Sequence, residues 1–175
     1  MGDARNYFEL FGLPVRFELD TAELQHRYRA LQRAAHPDRH AGASDRERRL
    51  AMEQAALINA AYQTLKSPLA RARYLLELEG VRFDDERDTH LDPAFLVEQM
   101  ELREALAAAR EAADPLAEVL RLGGDIERRR RALIEELGRL LAAGDRDAAR
   151  GMVHKLQFLE RLREEAEQLE EELSL

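Results

Sequence analysis

The sequence predicts an all-α chain, and three observations carry that reading. Ala, Leu, Glu and Arg dominate the composition, while the strand-favouring Val, Ile and Thr are scarce. Apolar residues recur at spacings of three and four along most of the 175 residues. Proline and glycine stand where helices should start and stop, with Ser or Asp just ahead of several of the starts. A hydrophobic content of 45% suffices for a core, whereas 35% charged and 6% aromatic residues point to thin, surface-rich elements.

Taken in order, Asn6 to Phe11 forms a short amphipathic segment that ends at Gly12, ahead of Pro14. Asp20 caps the next helix, and Glu23 at its third position makes a capping-box-like arrangement. Leu24, Tyr28, Leu31 and Ala35 form the stripe of that helix, which Pro37 ends. Ser44 and Glu47 repeat the Ser-x-x-Glu pattern ahead of a longer helix. This helix is expected to bury Leu50, Leu57, Ile58, Ala61 and Leu65, with Tyr62 beside them. Ser67-Pro68 stops it, and Pro68 opens a short helix through Leu69, Ala72, Leu75 and Leu76 that Gly80 closes.

Residues 81–91 are polar and acidic and read as a linker, which leaves 1–80 as a first domain and 92–175 as a second. Asp92-Pro93 opens a helix reaching about Arg110. Asp114-Pro115 opens another segment, expected to be interrupted at Gly123-Gly124 and to resume through Leu133, Leu137, Leu140 and Leu141. Gly144-Asp145 turns the chain into a last helix striped by Ala149, Met152, Leu156, Leu159, Leu162, Ala166, Leu169 and Leu173. Three helices joined by short turns imply an antiparallel bundle.

Charge and composition narrow the function. The net charge of −8 argues against a generic nucleic-acid binder. Its distribution is uneven: the first 90 residues carry 14 basic and 15 acidic residues, the remaining 85 carry 13 and 20. The absence of cysteine excludes disulfides, zinc ribbons and Cys-ligated clusters within the chain. Met1 to Leu10 lacks a signal-peptide core, and no run approaches the roughly 18 apolar residues of a membrane span. A cytoplasmic protein is therefore expected, and the preference for Arg over Lys fits a GC-rich bacterial genome. Arg128 to Arg131 and the acidic run Glu164 to Glu172 read as solvated helix faces.

Two segments carry chemistry. In His36-Pro37-Asp38 the proline fixes its own φ and pushes His36 out of the helix, so the imidazole and the Asp38 carboxylate are displayed on a rigid turn. His26, Arg29 and Arg33 lie opposite the apolar stripe of the preceding helix, giving a basic face that Arg39 continues. This face suits docking to an acidic surface. His36, Asp38 and His40 are also a set of ligand types for a metal, but Pro37 interrupts them and no catalytic motif accompanies them. No enzyme activity, cofactor or resident metal is expected. In the second segment Phe95, Leu102, Leu106 and Ala109 share a narrow core face, while Leu96, Val97 and Met100 point 100° or more away from it, beside Glu101 and Glu104. A wide core face, a contact with the first domain, or a partner site with an apolar centre and acidic rim accounts for them.

The capped basic helix, the His-Pro-Asp turn and the helices after it resemble the J-domain family, whose tripeptide is essential for stimulating the ATPase of DnaK-type chaperones. The resemblance sharpens over Tyr7-Phe-Glu-Leu-Phe-Gly-Leu-Pro14, Ile58-Asn-Ala-Ala-Tyr62, Pro68 through Leu76, Phe95 to Leu106, Lys155 to Leu162 and the run from Ala166. Together these segments are similar to the HscB family and span essentially the whole chain. The resemblance implies a monomeric co-chaperone with two partners, an HscA-like chaperone and the iron–sulfur scaffold IscU, which such proteins bind through the C-terminal bundle. It also implies scaffold contacts at Leu96, Val97, Met100, Glu101, Glu104 and Phe158, and a chaperone contact at His36, Pro37 and Asp38, to which the basic face of His26, Arg29, Arg33 and Arg39 is expected to add. Val97 stands where methionine is common, Ala108 where some relatives are acidic, and Arg39 where lysine is usual. The metal-binding Cys-x-x-Cys pairs of some eukaryotic relatives are absent. A J-protein for another client, with the second domain as a general interaction or dimerisation module, remains the alternative.

Overall fold

The computed structural model describes residues 6–35, 42, 44–83 and 92–174. Among them are seven helices and no strand: α1 (Tyr7–Leu10), α2 (Thr21–Ala34), α3 (Asp45–Lys66), α4 (Pro68–Leu78), α5 (Pro93–Ala109), α6 (Pro115–Ala143) and α7 (Arg146–Leu173). The chain divides into two compact units, the division falling within α4 between Leu75 and Leu76.

In the first unit α2 and α3 form a hairpin around Leu24, Ile58, Ala61 and Leu65, with the rings of Tyr28 and Tyr62 stacked 4.0 Å apart. The Tyr28 hydroxyl donates to Asn59 Oδ1 at 2.8 Å. Phe8 of α1 is fully buried, and the Tyr7 N–H donates to the Tyr74 hydroxyl at 2.9 Å. The Arg71 guanidinium, nearly all buried, donates to the Leu65 carbonyl at 2.7 Å, which satisfies an orphan acceptor at the end of α3. Burial holds this guanidinium below the usual arginine range.

Capping matches expectation at Ser44 and Glu47, where both halves of the box are present, and differs at Asp20. There the carboxylate accepts from Ala22 and Glu23, but the Glu23 side chain turns forward to Arg27 Nε at 2.6 Å instead of back to the cap. A second expectation is corrected on α3. Leu50 and Leu57 are 54% and 46% exposed, whereas the core takes Ala51, Ile58, Ala61, Tyr62 and Leu65. Leu50 and Leu57 each precede a core residue by one position, and that 100° step carries them off the buried arc.

In the second unit α5, α6 and α7 form the antiparallel bundle, with a core of Leu102, Leu106, Ala109, Val119, Leu122, Ile126, Leu159, Leu162, Ala166 and Leu169. The expected interruption at Gly123-Gly124 does not occur: α6 runs unbroken for 29 residues. Buried Val119, Leu122 and Ile126 hold this stretch in place, and Arg121 bridges the glycines by pairing with both Glu118 and Asp125. Tertiary burial thus outweighs the glycine cost, about 1 kcal/mol each. On α7 the stripe holds except that Val153, not Met152, is the buried residue of its second turn. Gly144, at φ +75°, ends α6, and the adjacent Asp145 caps α7 by accepting from the Ala148 N–H at 3.2 Å.

Candidate functional site

His36, Pro37, Asp38 and Arg39, together with His40, lie outside the described residues. Around them, α2 ends with the Ala35 N–H donating to the Leu31 carbonyl at 3.0 Å, and α3 starts at its Ser44 cap. His26, Arg29 and Arg33 are exposed on α2, on the side turned away from buried Leu24. Arg27, on the same helix, is taken out of that basic face. Its Nη1 donates to the Phe11 and Gly12 carbonyls at 2.8 Å each. Among the described residues no group of three His, Asp or Glu side chains is placed to hold a metal.

The second candidate surface is on α5. Asp92 caps the helix by accepting from the Ala94 N–H, and Pro93 fits its first position, where no backbone donor is needed. From there the 100° step fixes two faces. Phe95, Leu102, Leu106 and Ala109 are buried, while Leu96, Val97 and Met100 are 41%, 55% and 62% exposed. Glu101 and Glu104 are exposed as well, so three large apolar side chains stand in water beside two carboxylates.

Phe158 of α7 is half-buried. Its ring meets Phe95 edge-on at 6.3 Å, and the Arg103 guanidinium covers it at 4.9 Å. Arg103 reaches Glu165 of α7 at 3.5 Å, so it sits on the α7 flank of α5. By the helical step Leu96 and Met100 share that flank with Arg103, whereas Val97, Glu101 and Glu104 point outward. Sequence reasoning singled out both sets but missed Arg103, whose only signal is its spacing of seven from Leu96. It also missed Gln99, which completes the buried face of α5 at 2% exposure.

Comparison with known proteins assigns these halves to two domains. A DnaJ domain model matches residues 6–74, and a model described as the HSCB C-terminal oligomerisation domain matches residues 91–167. A protein of Vibrio cholerae named co-chaperone protein HscB homolog is 47% identical over 168 residues, covering 96% of this chain and 98% of that one. The homologue from Cupriavidus taiwanensis is 49% identical over 159 residues, covering 90% and 89%. Among solved structures, chaperone HscB from Vibrio cholerae superposes with a TM-score of 0.89 at 46% identity, over 97% of this chain and 99% of that one. Human co-chaperone HscB gives 0.90 at 30% identity, over 100% and 86%. With both domains matched and relatives aligned nearly end to end, the chain belongs to the HscB family of J-domain co-chaperones.

Proposed function

We propose that this protein stimulates the ATPase of an HscA-like, DnaK-type chaperone and delivers to it an iron–sulfur scaffold protein of the IscU kind, in the bacterial cytoplasm. In this reading residues 1–80 act as the J-domain, 81–91 as a linker and 92–175 as the client-binding bundle. The turn at His36, Pro37 and Asp38 engages the chaperone, with His26, Arg29, Arg33 and Arg39 steering its approach through an acidic partner surface. Leu96, Val97, Met100 and Phe158 supply the apolar centre of the scaffold site, and Glu101 and Glu104 its acidic rim. Because one chain binds both partners, client arrival and ATP hydrolysis are coupled without any catalytic group in the co-chaperone.

The observation that carries this reading is the exposure of Leu96, Val97 and Met100 beside a narrow, complete core stripe on the same helix. A bundle with one buried face per helix has no internal use for them. The test is steady-state ATPase of the cognate chaperone with scaffold present. His36→Gln abolishes the stimulation, and intact stimulation by that variant overturns the J-domain assignment. In pull-down with the scaffold, Leu96→Ala/Met100→Ala weakens capture by about 2 kcal/mol or more, roughly thirtyfold in Kd. Undiminished capture removes the site.

A second reading rests on the description of the matching C-terminal family model, which names oligomerisation. Under it the same apolar residues join copies of this chain. Sedimentation equilibrium separates the two: the first reading expects a monomer in wild type, the second a dimer that Leu96→Ala/Met100→Ala dissociates.

A further inference from the structure

The exposed apolar face of α5 carries one group that can be oxidised. The sequence holds four methionines, no cysteine and no tryptophan, so no thiol competes with its thioethers for an oxidant. Met100 is 62% exposed and Met52 of α3 is 64% exposed, whereas Met152 of α7 is half-buried beside the core residue Val153. Met1 lies outside the described residues. Two thioethers are thus equally open to a small solute, but their surroundings differ. One turn before Met100 stand the exposed Leu96 and Val97, and one turn before Met52 stand Arg48 and Arg49, in the other unit.

Hydrogen peroxide is the oxidant that suits this site. Being neutral, it is not repelled by the exposed carboxylates of Glu101 and Glu104 beside the face. The sulfur lone pair of Met100 attacks one peroxide oxygen and the O–O bond breaks. The hydroxide that leaves takes the remaining proton and departs as water. Sulfur is thereby oxidised by two electrons to the sulfoxide, and peroxide is reduced by two to water. The product sets a polar S–O acceptor next to Leu96 and Val97. Water hydrates that oxygen while the face is open, but an apolar partner surface closing over it strips the hydration and offers no donor in return.

We propose that Met100 is a reversible oxidation site through which peroxide weakens the hold of α5 on the scaffold. The inference rests on the scaffold reading of this face, to whose apolar centre Met100 belongs. Oxidation spares the fold, because the Met100 side chain stands outside the buried stripe of Phe95, Leu102, Leu106 and Ala109. Methionine sulfoxide reductases reverse it by removing the added oxygen.

The experiment treats the full chain with hydrogen peroxide, removes the peroxide, and only then adds the IscU-like scaffold for pull-down. Peptide mass spectrometry follows the sulfoxide at Met52, Met100 and Met152. Met52 and Met100 oxidise ahead of Met152, and the far-UV circular dichroism stays unchanged. Capture after treatment, relative to the same protein untreated, falls about tenfold in wild type and in Met52→Leu, and does not fall in Met100→Leu. Reductases for both sulfoxide epimers restore it. The proposal is overturned if full oxidation of Met100 leaves wild-type capture unchanged, if Met100→Leu loses as much as wild type, or if Met100 oxidises no faster than Met152. Failure of the scaffold reading itself looks different: untreated Leu96→Ala/Met100→Ala is then captured as wild type is, and the oxidation site falls with it.

Discussion

At Gly12 a backbone conformation and a side-chain clamp depend on one missing atom. The residue adopts φ +63°, and a Cβ there would stand 2.8 Å from the Arg27 Nη1 that binds the Phe11 and Gly12 carbonyls. Gly12→Ala therefore lowers the stability of the first unit by about 1–2 kcal/mol from the left-handed conformation alone, with the clash in addition. Chemical denaturation followed by far-UV circular dichroism measures it. At Gln99 the sign is opposite. Removing a buried group that pairs with nothing relieves its desolvation, so Gln99→Leu stabilises the bundle by about 1–3 kcal/mol. A lower denaturation midpoint would show that the amide is in fact satisfied. Residue-scale legibility follows the same division. Leu96, Val97 and Met100 were readable because a helical wheel assigns them away from a full stripe. Gln99 and Arg103 were not, since hydropathy assigns both to solvent and only the neighbouring helices decide where they go.

The elements were legible wherever a cap chemistry states its own boundary. Asp92-Pro93, Asp114-Pro115, Ser44 with Glu47, and Gly144-Asp145 all mark real helix ends. Gly123-Gly124 carries the same local signal and misleads, because neither glycine takes a positive φ and the burial of α6 overrides propensity. That override gives a prediction. Apart from chain neighbours and the surrounding helix backbone, nothing lies within 4 Å of a Cβ built at Gly123, and the nearest atom to one at Gly124 is Arg128 Nη1 at 3.8 Å. Gly123→Ala/Gly124→Ala therefore raises the thermal midpoint, by about 1–2 kcal/mol of stability for the pair. A fall would mean that the glycines serve a bend the helix needs.

Across the whole molecule, charge governs the response to acid. Hydrogen bonds from Arg131, Arg121 and Arg110 hold Glu127, Glu118 and Glu172 below the usual carboxylate range. A carboxylate whose folded pKa lies below its unfolded value, about 4.3, stabilises the fold fully above that value and loses the contribution as pH falls through the folded one. All three lie in the second unit and are partly exposed to solvent, so each contributes little and the effect is cumulative. Melting of the second unit should shift down as the pH falls below about 4.3, and Arg131→Ala should flatten the slope. The two-domain, all-helical organisation was readable because each amphipathic stripe needs one partner face. The His-Pro-Asp turn and most of the linker, residues 36–41 and 84–91, lie outside the described residues.

The stacked tyrosines of the first unit have an optical consequence. The chain contains four tyrosines and no tryptophan, and Tyr7, Tyr28, Tyr62 and Tyr74 all precede Leu75. Intrinsic ultraviolet emission is thus a reporter of one unit alone, with Tyr28 on Tyr62 and Tyr7 on Tyr74 held ring to ring at 4.0 Å and 4.6 Å. Backbone ellipticity, by contrast, sums over both units. Recorded together during one melt, the two signals tell whether the halves come apart as one cooperative body or in sequence, with no label or substitution introduced.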